Sequence, residues 1–184
     1  TDLVACLAVA FLVPCKLLLM FRFHPKLVAQ TCAKHGATFC VASITAYTAI
    51  MNDPDARKVN LSSLKKAYSG GAPISATQIK AFQSQFGVQI HPIYGLTETT
   101  SPSHATPLYQ RPKYSDFAGC LSVGVPVLGH ESWIVDSDTN TRLPPLAVGE
   151  IVVRGPAVAR GYWNKPECTN LRDGELHTGD IGFM

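Results

Sequence analysis

The chain has no low-complexity tract, no internal repeat and no basic cluster, and each absence removes a class of function. Charged residues make up only 16% of it against 46% hydrophobic, a balance that excludes a disordered tail and suits one globular domain or two small ones with a buried core. The net charge of +3 is scattered, so there is no footprint for DNA or RNA. The six cysteines, Cys6, Cys15, Cys32, Cys40, Cys120 and Cys168, form no Cys-x-x-Cys pair. That spacing excludes a zinc site and predicts buried free thiols in a reducing compartment, hence a cytoplasmic protein. Nor is there a membrane span: Pro14 and Lys16 interrupt the apolar stretch Leu3 to Met20, short of the roughly 20 residues a bilayer needs. Thr1 and Asp2 are not the basic start of a signal peptide, and with no initiator Met the stretch reads as an interior piece of a larger protein, a buried helix followed by a buried strand.

What is present alternates between two periods. Leu17 to Phe23 reads as a strand; Pro25 and Gly36 bracket a helix that turns Leu27, Val28 and Cys32 inward; Thr38 to Ala42 reads as a strand. A short helix over Ile44 to Met51 ends at Asn52-Asp53-Pro54, and a strand over Leu64 to Tyr68 runs into Ser69-Gly70-Gly71-Ala72-Pro73. Ser75 and Gln78 make a capping box for a helix with Ile79, Phe82 and Phe86 on one face, stopped by Gly87 before a strand over Val88 to His91. Such alternation predicts an α/β fold with a mainly parallel sheet flanked by helices, with ligands beyond the carboxyl ends of the strands. From about Gly119 short strands dominate, including Glu131 to Val135 and Glu150 to Arg154. The expected organisation is an α/β subdomain over 1–118 and a small antiparallel, barrel-like subdomain over 119–184.

Two motifs carry the chemistry, Tyr94-Gly95-Leu96-Thr97-Glu98 and Thr178-Gly179-Asp180. Tyr94 offers a flat face for stacking an adenine ring. The Thr97 hydroxyl can donate to a phosphoryl oxygen. Glu98 is the kind of carboxylate that magnesium takes beside phosphate oxygens and water, and Asp180 can accept from a ribose diol. Each motif alone is also ordinary turn chemistry. Their order and company decide the matter: the glycine pair upstream, then Gly149-Glu150-Ile151-Val152-Val153-Arg154-Gly155-Pro156, Gly161-Tyr162-Trp163 and Pro166-Glu167 between them.

These blocks, continuous from about Asn60 onward, resemble the adenylate-forming (AMP-binding) synthetases, and among them fatty acyl-CoA ligases of medium or long chain specificity. The resemblance implies that Gly71, Ala72 and Pro73 line one side of the adenine while Tyr94 stacks on it, that Gly95 belongs to the nucleotide-binding residues, that Thr97 contacts the α-phosphate, that Glu98 binds magnesium and that Asp180 holds the ribose. It implies an acyl pocket involving Tyr47, Ile50, Gly70 and His104, although a loop histidine bonded to backbone is the commoner role for His104. It implies ATP, Mg2+ and coenzyme A, small-molecule partners only, and an acid–thiol ligase. The phosphate loop and the lid lysine of such enzymes are missing, so the chain corresponds to the latter part of an N-terminal catalytic domain and is expected to be inactive alone. Two local departures are Ile44-Thr45-Ala46-Tyr47 where a proline is usual, and Glu175 where an aromatic is usual. The alternatives are a non-catalytic nucleotide-binding remnant and an amino-acid-adenylating module; the latter usually places an acid in the region of Leu3 to Phe23, and this chain has none there.

Overall fold

A computed structural model describes residues 3–165, 167–168 and 170–184; Thr1, Asp2 and Pro166 of the sequence reading lie outside it. Contacts divide the chain into two compact units that interleave in sequence, 1–94 with 105–125, and 95–104 with 126–184.

The first unit is built on a parallel sheet. Strands β1 (Phe39–Val41), β2 (Lys66–Ser69) and β3 (Ile90–Tyr94) lie side by side, with Tyr68 opposite His91 and Ser69 opposite Pro92. A short π-helical stretch, Leu3–Ala8, and the single turn α1 (Val9–Leu12) precede helices α2 (Pro25–His35), α3 (Ile44–Asn52) and α4 (Ala76–Phe86). Through Ala105 and Val125 the sheet continues to β4 (His104–Ala105), and past the β5 (Tyr114–Ser115) and β6 (Cys120–Leu121) hairpin to β7 (Val125–Pro126), in the order β1-β2-β3-β4-β7.

The elements follow from local chemistry. Pro25 sits in the first turn of α2, where its missing N–H would have been unpaired. In α4 the Ser75 hydroxyl accepts from the Gln78 N–H at 3.2 Å and the Gln78 side chain accepts from the Ser75 N–H at 3.1 Å, a closed capping box. Ile79, Phe82 and Phe86 recur at helical spacing and bury together against Tyr47, Ile50, Ala67 and Ile90. Tyr47 meets Phe82 edge-on at 5.1 Å between ring centres.

Several expectations about buried apolar residues fail. Leu17 to Phe23 is not a strand, and the segment around it is not buried: Phe11 and Leu19 are exposed and Phe21 is 97% exposed. With no neighbouring strand to take its backbone hydrogen bonds, an apolar run has no reason to extend. Leu27 likewise points outward while Ala29 fills the buried face of α2, with Val28 and Cys32 packed at its margin. The cysteines are free thiols, but none is fully buried and Cys15 and Cys120 are exposed.

The second unit centres on an antiparallel sheet of β8 (Glu131–Val135), β9 (Gly149–Arg154), β10 (Leu171–Arg172) and β11 (Glu175–Gly182), in the order β10-β11-β9-β8. The expected barrel is not there: among the described residues the sheet is open, with β8 and β10 at its edges. Val152, Val153 and Leu176 form its buried centre. No helix of the described residues is long and apolar enough to cross a membrane.

Candidate functional site

In the first unit, the residues expected beside an adenine leave the carboxyl ends of adjacent parallel strands. Gly70, Gly71, Ala72 and Pro73 follow β2 and Tyr94 ends β3. A Cβ on Gly70 would lie 2.7 Å from the Ile93 carbonyl oxygen, so only glycine lets this loop run so close to β3. Gly71 to Pro73 are exposed beyond it. Tyr47 and Ile50, expected at an acyl pocket, sit in the core. The Tyr47 hydroxyl donates to the carbonyls of Cys40 at 3.3 Å and Tyr68 at 3.2 Å, tying α3 to β1 and β2. Burial raises the Tyr47 phenol well above its usual range, so it remains a neutral donor. His91 is buried within β3, and its Nδ1 has no hydrogen-bond partner among the described residues. Burial lowers its pKa.

The second unit brings Gly95, Thr97, Glu98, His104 and Asp180 into one compact body. Thr97–Thr99 is one 3-10 turn. It is closed by the Thr99 hydroxyl, which accepts from the Leu96 N–H and donates to the Leu96 carbonyl, both at 3.0 Å. A Cβ on Gly95 would fall 2.9 Å from the Ser103 nitrogen, so the chain after the turn folds back against Gly95. Segment 157–162 then braces the turn. The Ala159 N–H donates to the Glu98 carbonyl at 2.7 Å, the Thr100 hydroxyl donates to the Ala157 carbonyl at 2.8 Å, and the Tyr162 hydroxyl donates to Glu98 Oε1. The Asn170 amide donates to the Tyr162 oxygen at 3.4 Å. That amide draws the phenol pKa down, but the bond to Glu98, desolvation and the Glu98 charge together prevail and leave it raised.

His104 is buried, its Nδ1 3.0 Å from the Ser103 hydroxyl. Burial, and then the nearby His130, push its pKa down to about 4, so at neutral pH it is an uncharged core residue.

Thr178-Gly179-Asp180 lies inside β11, where the pairing with β9 shifts register between His177 and Ile181. This is a β-bulge, with Gly179 at φ 74°. Glu150 makes it: Oε1 accepts the Gly179 N–H at 2.8 Å and Oε2 lies 3.3 Å from His177 Nδ1. Thr178 donates to the Ile151 carbonyl at 2.7 Å and accepts from the Asp180 N–H at 3.1 Å, which sets Asp180 on the exposed side. Sequence reasoning quoted Glu150 and Tyr162 inside motifs but gave neither a role. A carboxylate at the start of the expected strand Glu150 to Arg154 was the available signal for the first; nothing local signals the second.

Magnesium would fit this donor set. Among the described residues no three of His, Cys, Asp or Glu are grouped to hold a metal by themselves. An ion that draws most ligands from phosphate and water needs only one or two carboxylates, and Glu98 Oε2 accepts no hydrogen bond among the described residues.

The model of the AMP-binding enzyme family matches residues 1–163. The chain belongs to that family. It is 33% identical over 171 residues to a long-chain-fatty-acid–CoA ligase of Bacillus subtilis, covering 92% of this chain and 30% of the ligase. Over 172 residues it is 34% identical to luciferin 4-monooxygenase of Photinus pyralis, covering 91% and 30%. The crystal structure of ATP-bound MatB from Rhodopseudomonas palustris superposes with a TM-score of 0.82 at 26% identity, over 96% of this chain and 34% of that one. The chain thus spans about 30% of the length of the curated relatives it matches.

Proposed function

We propose that the protein of which this chain is a part activates a carboxylic acid with ATP and transfers the acyl group to coenzyme A. A carboxylate oxygen attacks the α-phosphorus, the bond to the β-phosphate breaks and pyrophosphate leaves; the thiol sulfur then attacks the acyl carbon, AMP leaves and the thiol proton goes to solvent. The acid is its own nucleophile, so the protein's work is positioning and charge stabilisation. The observation that carries this reading is the braced Thr97–Glu98 turn, fixed through its backbone by Thr99, Ala157 and Ala159 within a member of the AMP-binding family. In this reading Gly71, Ala72, Pro73, Tyr94 and Gly95 flank the adenine, Thr97 donates to the α-phosphate, Glu98 holds magnesium and Asp180 accepts from the ribose. A magnesium ion there would lower the repulsion between phosphate and incoming carboxylate.

For the acyl side we propose a fatty acid of medium to long chain. The name of the Bacillus subtilis relative and the absence of an acid between Leu3 and Phe23 support it. Gly70 and His104 are proposed as acyl-site residues, while Tyr47 and Ile50 are buried in the core of the first unit. Pyrophosphate exchange by the full-length protein across a panel of acids tests the proposal. Octanoate to palmitate should outrun acetate and every amino acid; preference for an amino acid overturns the fatty-acid reading, and no exchange with any acid overturns the activation reading.

A further inference from the structure

We propose that Tyr162 is a positioning residue for Glu98: its hydroxyl holds Oε1 and so presents Oε2 to the divalent cation that accompanies the nucleotide. The inference rests on the reading of Glu98 as a cation ligand and adds to it a residue 64 positions away.

The backbone of Glu98 is held from three directions, by the Thr99 hydroxyl across the turn, by the Ala159 N–H at its carbonyl, and through Thr100 bonded to Ala157. That fixes Cα but leaves three side-chain torsions open, and a glutamate free to sample them presents its charge in many directions. Tyr162 removes that freedom. It belongs to the same segment as Ala157 and Ala159, so one stretch of chain grips both the backbone and the carboxylate of Glu98. Its own direction is set by a rigid ring with two torsions and by the Asn170 amide at its oxygen. A phenol has one proton. An ionised carboxylate only accepts and the Asn170 nitrogen only donates, so that proton lies toward Glu98.

The chemical identity of the clamp matters as much as its geometry. An arginine or lysine in this place would orient the carboxylate and also neutralise the charge a cation needs, whereas a neutral phenol orients it and leaves the charge. Magnesium demands near-octahedral geometry at short distance, so a ligand already aimed loses less freedom on binding.

The test uses the full-length protein and calorimetric titration of ATP, without acid substrate, once with Mg2+ and once with EDTA. The readout is the ratio of the two affinities, the magnesium enhancement. Tyr162→Phe keeps the ring at this half-exposed site and removes only the hydroxyl. We expect it to lower the enhancement by about tenfold, or to unity, while AMP affinity in EDTA stays within about twofold of wild type. Glu98→Gln should lower the enhancement at least as far, and Tyr162→Phe should add nothing in that background. An unchanged enhancement in Tyr162→Phe overturns the proposal, as does a parallel fall of AMP affinity, which marks a merely structural tyrosine. If Glu98→Gln itself leaves the enhancement unchanged, the cation-ligand reading fails first.

Discussion

Replacing Glu150 with alanine isolates the part of the ribose site that sequence motifs do not name. Glu150 touches no nucleotide in our reading; it shapes the bulge that exposes Asp180. Its carboxylate accepts the Gly179 N–H at 2.8 Å and pairs with His177 at 3.3 Å, and both side chains are largely buried. A hydrogen bond to a charged group is worth about 1.5 to 3 kcal/mol, and a tenfold change in affinity corresponds to about 1.4 kcal/mol. Thr178 still ties the bulge to Ile151 and to the Asp180 N–H after the substitution, so the lower figure applies. Glu150→Ala should therefore weaken AMP binding to the full-length protein by about tenfold, measured by calorimetry in EDTA so that cation binding plays no part. Glu150→Gln retains an acceptor for Gly179 and loses only the charge, and should fall by less than about threefold. Asp180→Ala, which removes the acceptor itself, should exceed both. If Glu150→Ala binds AMP as wild type does while Asp180→Ala does not, the bulge holds its shape without Glu150 and the argument is wrong.

Gly124 is the most sterically committed glycine: a Cβ there would lie 2.1 Å from the Ala105 carbonyl carbon and oxygen, at φ 96°. Gly124→Ala should cost at least about 3 kcal/mol in urea denaturation, whereas Gly36→Ala, left-handed but with open space around it, should cost about 1 kcal/mol; equal losses would refute the steric account. His104 binds its proton less readily in the folded chain, about pH 4, than in the unfolded one, about 6.5, so its contribution to stability is complete above pH 6.5 and is lost as pH falls toward 4. The difference in urea stability between wild type and His104→Asn should shrink by about 3 kcal/mol across that interval, and a pH-independent difference would contradict burial of the neutral ring; comparing the two proteins removes the contribution of His91, whose pKa shifts the same way.

Much of the first unit was legible because its signals are local. The Ser75–Gln78 box, Pro25, and the Ile79, Phe82 and Phe86 spacing each act within one or two turns, and each produced the expected helix. Glu131 to Val135 and the strand after Gly149 were equally plain, since alternation and turn residues bound them. Phe11 to Phe23 misled for a physical reason. Hydrophobicity states that a segment gains by being covered; it does not state that the cover lies within 184 residues. The open sheet has a related cause, because closure depends on strand tilt and stagger, which alternation does not encode.

The candidate site divides along the same line. Thr97, Glu98 and Asp180 could be named because ligand chemistry selects residue types, and short motifs carry those types in order. The residues that hold them could not. Tyr162 reaches Glu98 across 64 positions and Glu150 reaches Gly179 across 29, and in both cases the fold, not spacing, closes the distance. The partners also differ in kind from what a motif search seeks: one is a phenol bonded to a carboxylate, the other a carboxylate bonded to a backbone N–H. Each is unremarkable chemistry until the turn or the bulge is seen. A glycine at φ 74° in the middle of a strand is strained for any other residue and breaks the ladder it sits in. It persists because Glu150 supplies from the neighbouring strand the acceptor that the ladder no longer does, which leaves Asp180 facing outward on an otherwise regular sheet.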